Sequence, residues 1–196
     1  MKQIFQHSIN PDEIKDLPLA GFEGNIVIVD SSEKLEAACR HLLEQDIIGF
    51  DTETRPSFKA GVSYNVSLIQ LSTEDTCYLI RLGAVKMERC LMKVLESRKT
   101  LKVGVDVLGD IRNLNKVRHF RAAGFVELQK EVENFGIEDK SLRKMAAIIL
   151  GVGVSKAQRL SNWEAKELTV AQMRYAATDA WICLEMYNKL QASIKK

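Results

Sequence analysis

Five residues stand in patterns that could do chemistry. Asp51 and Glu53 end the run Ile47-Ile-Gly-Phe-Asp-Thr-Glu53. Two apart on a strand, their side chains leave the same face. Alone, such a pair is more often a solvated acidic strand end. Asp110 follows Lys102-Val-Gly-Val-Asp-Val-Leu-Gly, where a buried strand runs out and a helix opens. There an acid complements the helix dipole, and Asp106 reads as a cap or loop acid rather than a ligand. Tyr175 and Asp179 are four apart and share one helix face. Apolar residues surround Asp179, and a carboxylate in such a place is costly unless paired or metal-bound. Four carboxylates brought together would raise one another's pKa and need cations between them. Hard divalent ions with oxygen ligands meet that need. Two such ions, about 3.5–4 Å apart, suit phosphodiester hydrolysis, with the Tyr175 phenol orienting the attacking water.

These residues must be carried by ordered elements. Asn25–Asp30 is a short β-branched run and reads as a strand. Ser31 and Ser32 then cap an amphipathic helix through Leu35, Ala38, Cys39, Leu42 and Leu43. Strands are expected at 47–51, 66–72 and 76–80, with a hairpin at Thr73-Glu-Asp75, and at 101–105 and 125–129. Helices are expected at 84–97, 108–118, 139–150 and 169–194. The order β-α-β-β-β-α-β-α-β-α-α is an α/β layer architecture with a mixed sheet. Residues 1–24, with Pro11 and Pro18, read as a loose N-terminal extension, and residues 25–196 as a single domain.

The chain has 196 residues, 28 Lys+Arg against 26 Asp+Glu, for a net charge of +2. That excludes a strongly basic nucleic-acid-coating protein and an acidic disordered tail. The balance hides asymmetry: residues 1–50 carry 4 basic and 9 acidic groups, and residues 81–121 carry 11 and 4. Cys39, Cys77, Cys90 and Cys183 are widely spaced and read as free thiols in apolar stretches. The first residues lack the apolar core of a signal peptide. No apolar run approaches the roughly 20 residues that a bilayer span needs, and a cytoplasmic protein is expected.

The motifs together resemble the DEDDy group of 3′–5′ exonucleases, and within it the Werner-syndrome-type exonuclease domains, with ribonuclease D more distant. Phe50-Asp-Thr-Glu53, Val103 to Asp110 in the pattern VGVxxxGD, and Tyr175-Ala-Ala-Thr-Asp-Ala180 carry the resemblance. Lys156-Ala-Gln-Arg-Leu-Ser-Asn-Trp163 and Val66-Ser-Leu-Ile-Gln-Leu-Ser72 extend it to about residues 25–190. A related group has a histidine five residues before the last acid; here that position is Arg174, which favours the tyrosine type. The resemblance implies a ribonuclease-H-like mixed sheet flanked by helices. It also implies that Asp51, Glu53, Asp110 and Asp179 bind two Mg²⁺ or Mn²⁺ ions and that Tyr175 positions the water. The expected activity is release of nucleoside 5′-monophosphates from DNA 3′ ends, in DNA repair or nucleic acid metabolism. An RNA-processing exonuclease of the ribonuclease D kind and a catalytically silent nucleic-acid-binding domain are the alternatives.

The expected partner is single-stranded or 3′-recessed DNA, with RNA the other candidate; a helicase partner would be a separate chain. Candidate phosphate contacts are Arg55 and Lys59 after the first motif, Arg112 and Lys116 after the second, and Lys156 and Arg159 before Ser-Asn-Trp. Trp163 is a candidate stacking platform or a packed aromatic anchor. Some relatives have a base-contacting aromatic after the first motif. Thr54 stands there instead, which passes base stacking to Phe58 or Tyr64.

Overall fold

The computed structural model describes residues 5–194. The β-branched runs become β1 (Asn25–Val29), β2 (Ile47–Thr54), β3 (Val66–Ser72), β4 (Thr76–Arg81), β5 (Leu101–Gly104) and β6 (Phe125–Glu127). They form one sheet in the order β1-β4-β3-β2-β5-β6. The meander β2-β3-β4 is antiparallel, whereas β1 runs parallel to β4, β5 to β2 and β6 to β5. This is the mixed α/β sheet that the pattern of the chain predicts.

Helices cover both faces. The first layer holds α2 (Ser32–Leu43), α3 (Arg89–Leu95) and α4 (Val107–Val117). It packs Leu35, Leu42, Leu91 and Leu114 against Phe50, Ile69 and Leu71. Against the second face lie α6 (Leu142–Leu150) and α7 (Val170–Ile194). A fully buried Leu or Ile contributes about 1.5–3 kcal/mol, and both faces have many. The 25-residue α7 buries Ala176, Ala177, Thr178, Asp179 and Ala180 in succession, so it is enclosed on all sides there. It comes this close to the sheet because β2 offers Gly49: a Cβ at that position would lie 2.0 Å from the Ala180 carbonyl oxygen.

Three expectations are corrected. The helix expected at 84–97 spans only Arg89–Leu95, because the backbone N–H groups of Ala84 and Val85 donate to Arg81 O in a turn and the chain is extended at Glu88. The strand expected at 125–129 stops at Glu127, whose side chain accepts from Gln129 N and opens the short α5 (Leu128–Glu131). The N-terminal segment is not loose from residue 5 onward. Asn10 and Glu13 form a capping box for α1 (Pro11–Lys15), a reciprocal pairing that satisfies two otherwise unpaired N–H groups. Phe5, Ile9 and Ile14 are buried in the cluster that includes α6 and α7, and Phe22 N donates to Thr178 Oγ1 at 3.0 Å.

Candidate active site

The pleat of β2 sorts its last residues. Gly49, Asp51 and Glu53 face α7, and Thr52 faces the α4 side. A register shift between Glu53 and Thr54 leaves Ser67 of β3 as the extra residue of a bulge. Bulges kink a strand and re-aim its side chains, and they recur beside active sites. From above, α7 brings Asp179. Asp51, Glu53 and Asp179 each offer a carboxylate oxygen such that the three atoms lie within 4.8 Å of one another.

Asp110 arrives from the other layer, in the first turn of α4. It lies outside the three-carboxylate group and is joined to β2 by Thr52 Oγ1, which donates to Asp110 Oδ1 at 2.6 Å. The helix starts from Asp106, whose φ of 56° is left-handed, a conformation costly for any residue but Gly and least so for Asn or Asp. Glu127 caps this start: the backbone N–H groups of Asp106 and Val107 donate to its carboxylate at 3.2 and 2.8 Å. Neither Thr52 nor Glu127 stands out in the sequence. The one signal for Thr52 is its place between two acids in Asp-Thr-Glu; Glu127 lies about twenty residues from the helix that it caps and leaves none.

Burial raises the pKa of all four acids, and repulsion adds to it at Asp51, Glu53 and Asp110. Asp51 is pushed well above the usual range, by burial first and then by Asp179, Asp110 and Glu53. Glu53 rises to about 8 from burial, then Asp179 and Asp110. Burial lifts Asp110 to about 7 against the Thr52 hydrogen bond, and Asp179 to about 7 against its hydrogen bond with Tyr175. Tyr175 is also pushed up, by burial and then by Asp179 and Glu53, so it keeps its proton and acts as a donor. Asp179 Oδ1 is buried without a hydrogen-bond partner. An orphaned carboxylate oxygen beside two more acids is the donor set of a hard divalent ion.

Trp163 is not a stacking platform. It is 1 % exposed and its ring lies 6.1 Å from that of Tyr175, tilted by 34°. Packed with Leu68 and Leu79, it backs the phenol and presents no face to a base. Arg55, Lys59, Arg112, Lys116, Lys156 and Arg159 are all exposed. Arg55 is ion-paired with Glu164 at 3.1 Å and sits over the Tyr64 ring at 4.8 Å. Arg55 and Tyr64, with Phe58, Lys59, Leu160 and Asn162, line a cleft of about 390 Å³ just past the end of β2. Phe58 is 84 % exposed. A second cavity of about 190 Å³ adjoins Asp179 and Tyr175, with Ala20 and Gly21 of the N-terminal segment in its wall.

The 3′–5′ exonuclease domain family matches residues 26–195. The chain belongs to that family. It is 34 % identical to the "Bifunctional 3′-5′ exonuclease/ATP-dependent helicase WRN" of Mus musculus over 96 % of this chain and 14 % of that protein. It is 29 % identical to the "Exonuclease mut-7 homolog" of Aedes aegypti over 88 % of this chain and 27 % of the relative. The exonuclease chain therefore spans well under a third of either relative's length. The crystal structure of the Aedes aegypti Nibbler EXO domain superposes with a TM-score of 0.79 at 27 % identity, covering 97 % of this chain and 93 % of that one. Escherichia coli RNase D shares the fold, with a TM-score of 0.77 at 21 % identity over 87 % of this chain and 45 % of its own. The exonuclease family and the three-carboxylate group together make this a site that could hold a metal ion. No described helix is long and apolar enough to cross a membrane.

Proposed function

We propose that the protein is a divalent-metal-dependent 3′–5′ exonuclease that releases nucleoside 5′-monophosphates from DNA. The observation that carries this reading is the three-carboxylate group with its unpartnered buried Asp179 oxygen. Asp51, Glu53, Asp179 and, from the other layer, Asp110 would hold two Mg²⁺ or Mn²⁺ ions. Such ions acidify a bound water and stabilise charge on the scissile phosphate and the leaving oxygen. The chain's own part is positional. Tyr175, protonated and backed by Trp163, orients the attacking water by hydrogen bonding. Thr52 holds Asp110 in line with the end of β2. Exposed Arg112 and Lys116 on α4 and Lys156 and Arg159 before Trp163 supply phosphate contacts that ignore sequence. Arg55, Lys59, Phe58 and Tyr64 grip the strand in the cleft past β2. DNA as the substrate is supported by the resemblance to Werner-type domains and by 27 % identity to the DNA polymerase I of Aquifex aeolicus over 83 % of this chain.

The test is degradation of 5′-labelled DNA, single-stranded and 3′-recessed, beside RNA of the same sequence, with Mg²⁺, Mn²⁺ or EDTA. The expected result is stepwise shortening of DNA from the 3′ end, mononucleotide release, and no reaction in EDTA. Absence of mononucleotide under every condition would overturn the activity. Faster turnover of RNA would overturn the choice of DNA.

A further inference from the structure

Gln70 is the residue of β3 directly opposite Asp51 in the β2–β3 register. It is fully buried, and neither its Nε2 nor its Oε1 has a hydrogen-bond partner. A buried amide with both atoms unpaired is rare and costly, so its surroundings must explain it. Residues paired across antiparallel strands share a face, with Cβ atoms about 4.5–5.5 Å apart. Gln70 therefore points to the α7 side, as Asp51 does. Its other cross-strand neighbour is Leu79. Along its own strand the same face carries Leu68 and Ser72, and the Ser72 hydroxyl already donates to Thr73 O at 2.9 Å. The α7 residues buried with Leu68 and Leu79 are Ala176 and Ala177, which have no side-chain polar atoms, and Met173, Tyr175 and Trp181 pack at the edge of the same cluster. Asp51 is the carboxylate that the strand register places directly opposite this amide.

We propose that Gln70 is a positioning residue that orients Asp51 for metal binding. A primary amide suits the task, because its N–H₂ can donate to one carboxylate oxygen and leave the other for a metal. Outer partners of this kind fix the orientation of ligating groups, and their loss typically weakens metal affinity about 10–100-fold. The inference rests on Asp51 being a metal ligand, as proposed above.

The test is Mn²⁺ binding by titration calorimetry on the full chain, in wild type, Asp51→Asn, Gln70→Leu and Gln70→Met, with thermal unfolding of each in EDTA. Wild type should bind Mn²⁺ and Asp51→Asn should not; equal binding by the two would overturn the metal reading itself. Gln70→Leu should bind about 10–100-fold more weakly, while its metal-free unfolding temperature equals or exceeds that of wild type, since an unpaired buried amide has been replaced by an apolar group. Wild-type Mn²⁺ affinity in Gln70→Leu and Gln70→Met would overturn the proposal. So would metal-free unfolding of both variants well below wild type, which would make the amide a structural partner instead.

Discussion

Replacing Asp179 by Asn removes a titratable group and almost no volume, so it isolates the electrostatic strain of the site. In the metal-free protein burial lifts the Asp179 carboxyl from 3.8 to about 7. Between those values the folded chain keeps a proton that the unfolded chain gives up. The folded state then binds more protons, and stability must fall as pH rises through this window. The full displacement corresponds to about 4 kcal/mol at 1.36 kcal/mol per pKa unit. Asp51 and Glu53 ionise more readily once a neighbouring charge is gone, so protons redistribute and part of the relief is shared. We expect Asp179→Asn to be about 2 kcal/mol more stable than wild type at pH 8 in EDTA, and nearly equal at pH 4. For a chain of this size that is about 4–8 °C in Tm. The assay is thermal unfolding in EDTA from pH 4 to 8, repeated with Mn²⁺. With Mn²⁺ the order should reverse, because wild type alone gains from binding, and exonuclease turnover of the variant should be absent. A variant less stable than wild type at pH 8 in EDTA, or a difference that does not change with pH, would refute the reasoning.

Tyr175→Phe should retain Mn²⁺ affinity and lower kcat by about 100-fold or less, a smaller loss than Asp51→Ala, as single-turnover kinetics would show. Thr52→Val removes the hydrogen bond that holds the Asp110 pKa down, so the acid limb of the pH–rate profile should move to higher pH. Gly49→Ala forces a Cβ onto the Ala180 carbonyl; it should lower stability by about 3 kcal/mol and cut activity by pushing α7 and Asp179 away. Arg112→Ala with Lys116→Ala should reduce the salt dependence of single-strand binding, by about 0.7 in the log–log slope for each phosphate that is no longer neutralised.

What could be read in advance was local. Alternation along β2 put Asp51 and Glu53 on one face, and the spacing of four put Tyr175 beside Asp179. Both follow from element geometry alone. The meander was legible because Thr73-Glu-Asp75 is hairpin chemistry between β-branched runs. What stayed hidden depends on partners distant in sequence. Thr52 bonds Asp110 across 58 positions, and Glu127 caps α4 from 20 positions away. Trp163 has the composition of a base platform and of a core anchor alike; only the packing of Leu68, Leu79 and Tyr175 around it decides for the core. The first residues were obscured by their prolines and acids, which drew attention from Phe5, Ile9 and Ile14. Gln70 looked like one more polar residue in a strand until the register put it opposite Asp51.

The position of Asp110 bears on how the whole site is specified. Three acids meet on the α7 face of the sheet, and the fourth comes from the α4 layer to the same end of β2, near enough to raise Asp51 and Glu53. The end of β2 is where the two layers can be joined, because its pleat sends Asp51 and Glu53 one way and Thr52 the other. A slip of one residue in β2 would exchange those faces, placing Thr52 under α7 and both acids against α4. The bulge at Ser67 and the pairing of Gly49 with Ser72 hold that register. Gly49 in turn admits α7 to the distance at which Asp179 reaches its partners. The close approach and the side-chain alternation are therefore one constraint: the same strand register that lets α7 dock decides which residues can form the acidic site.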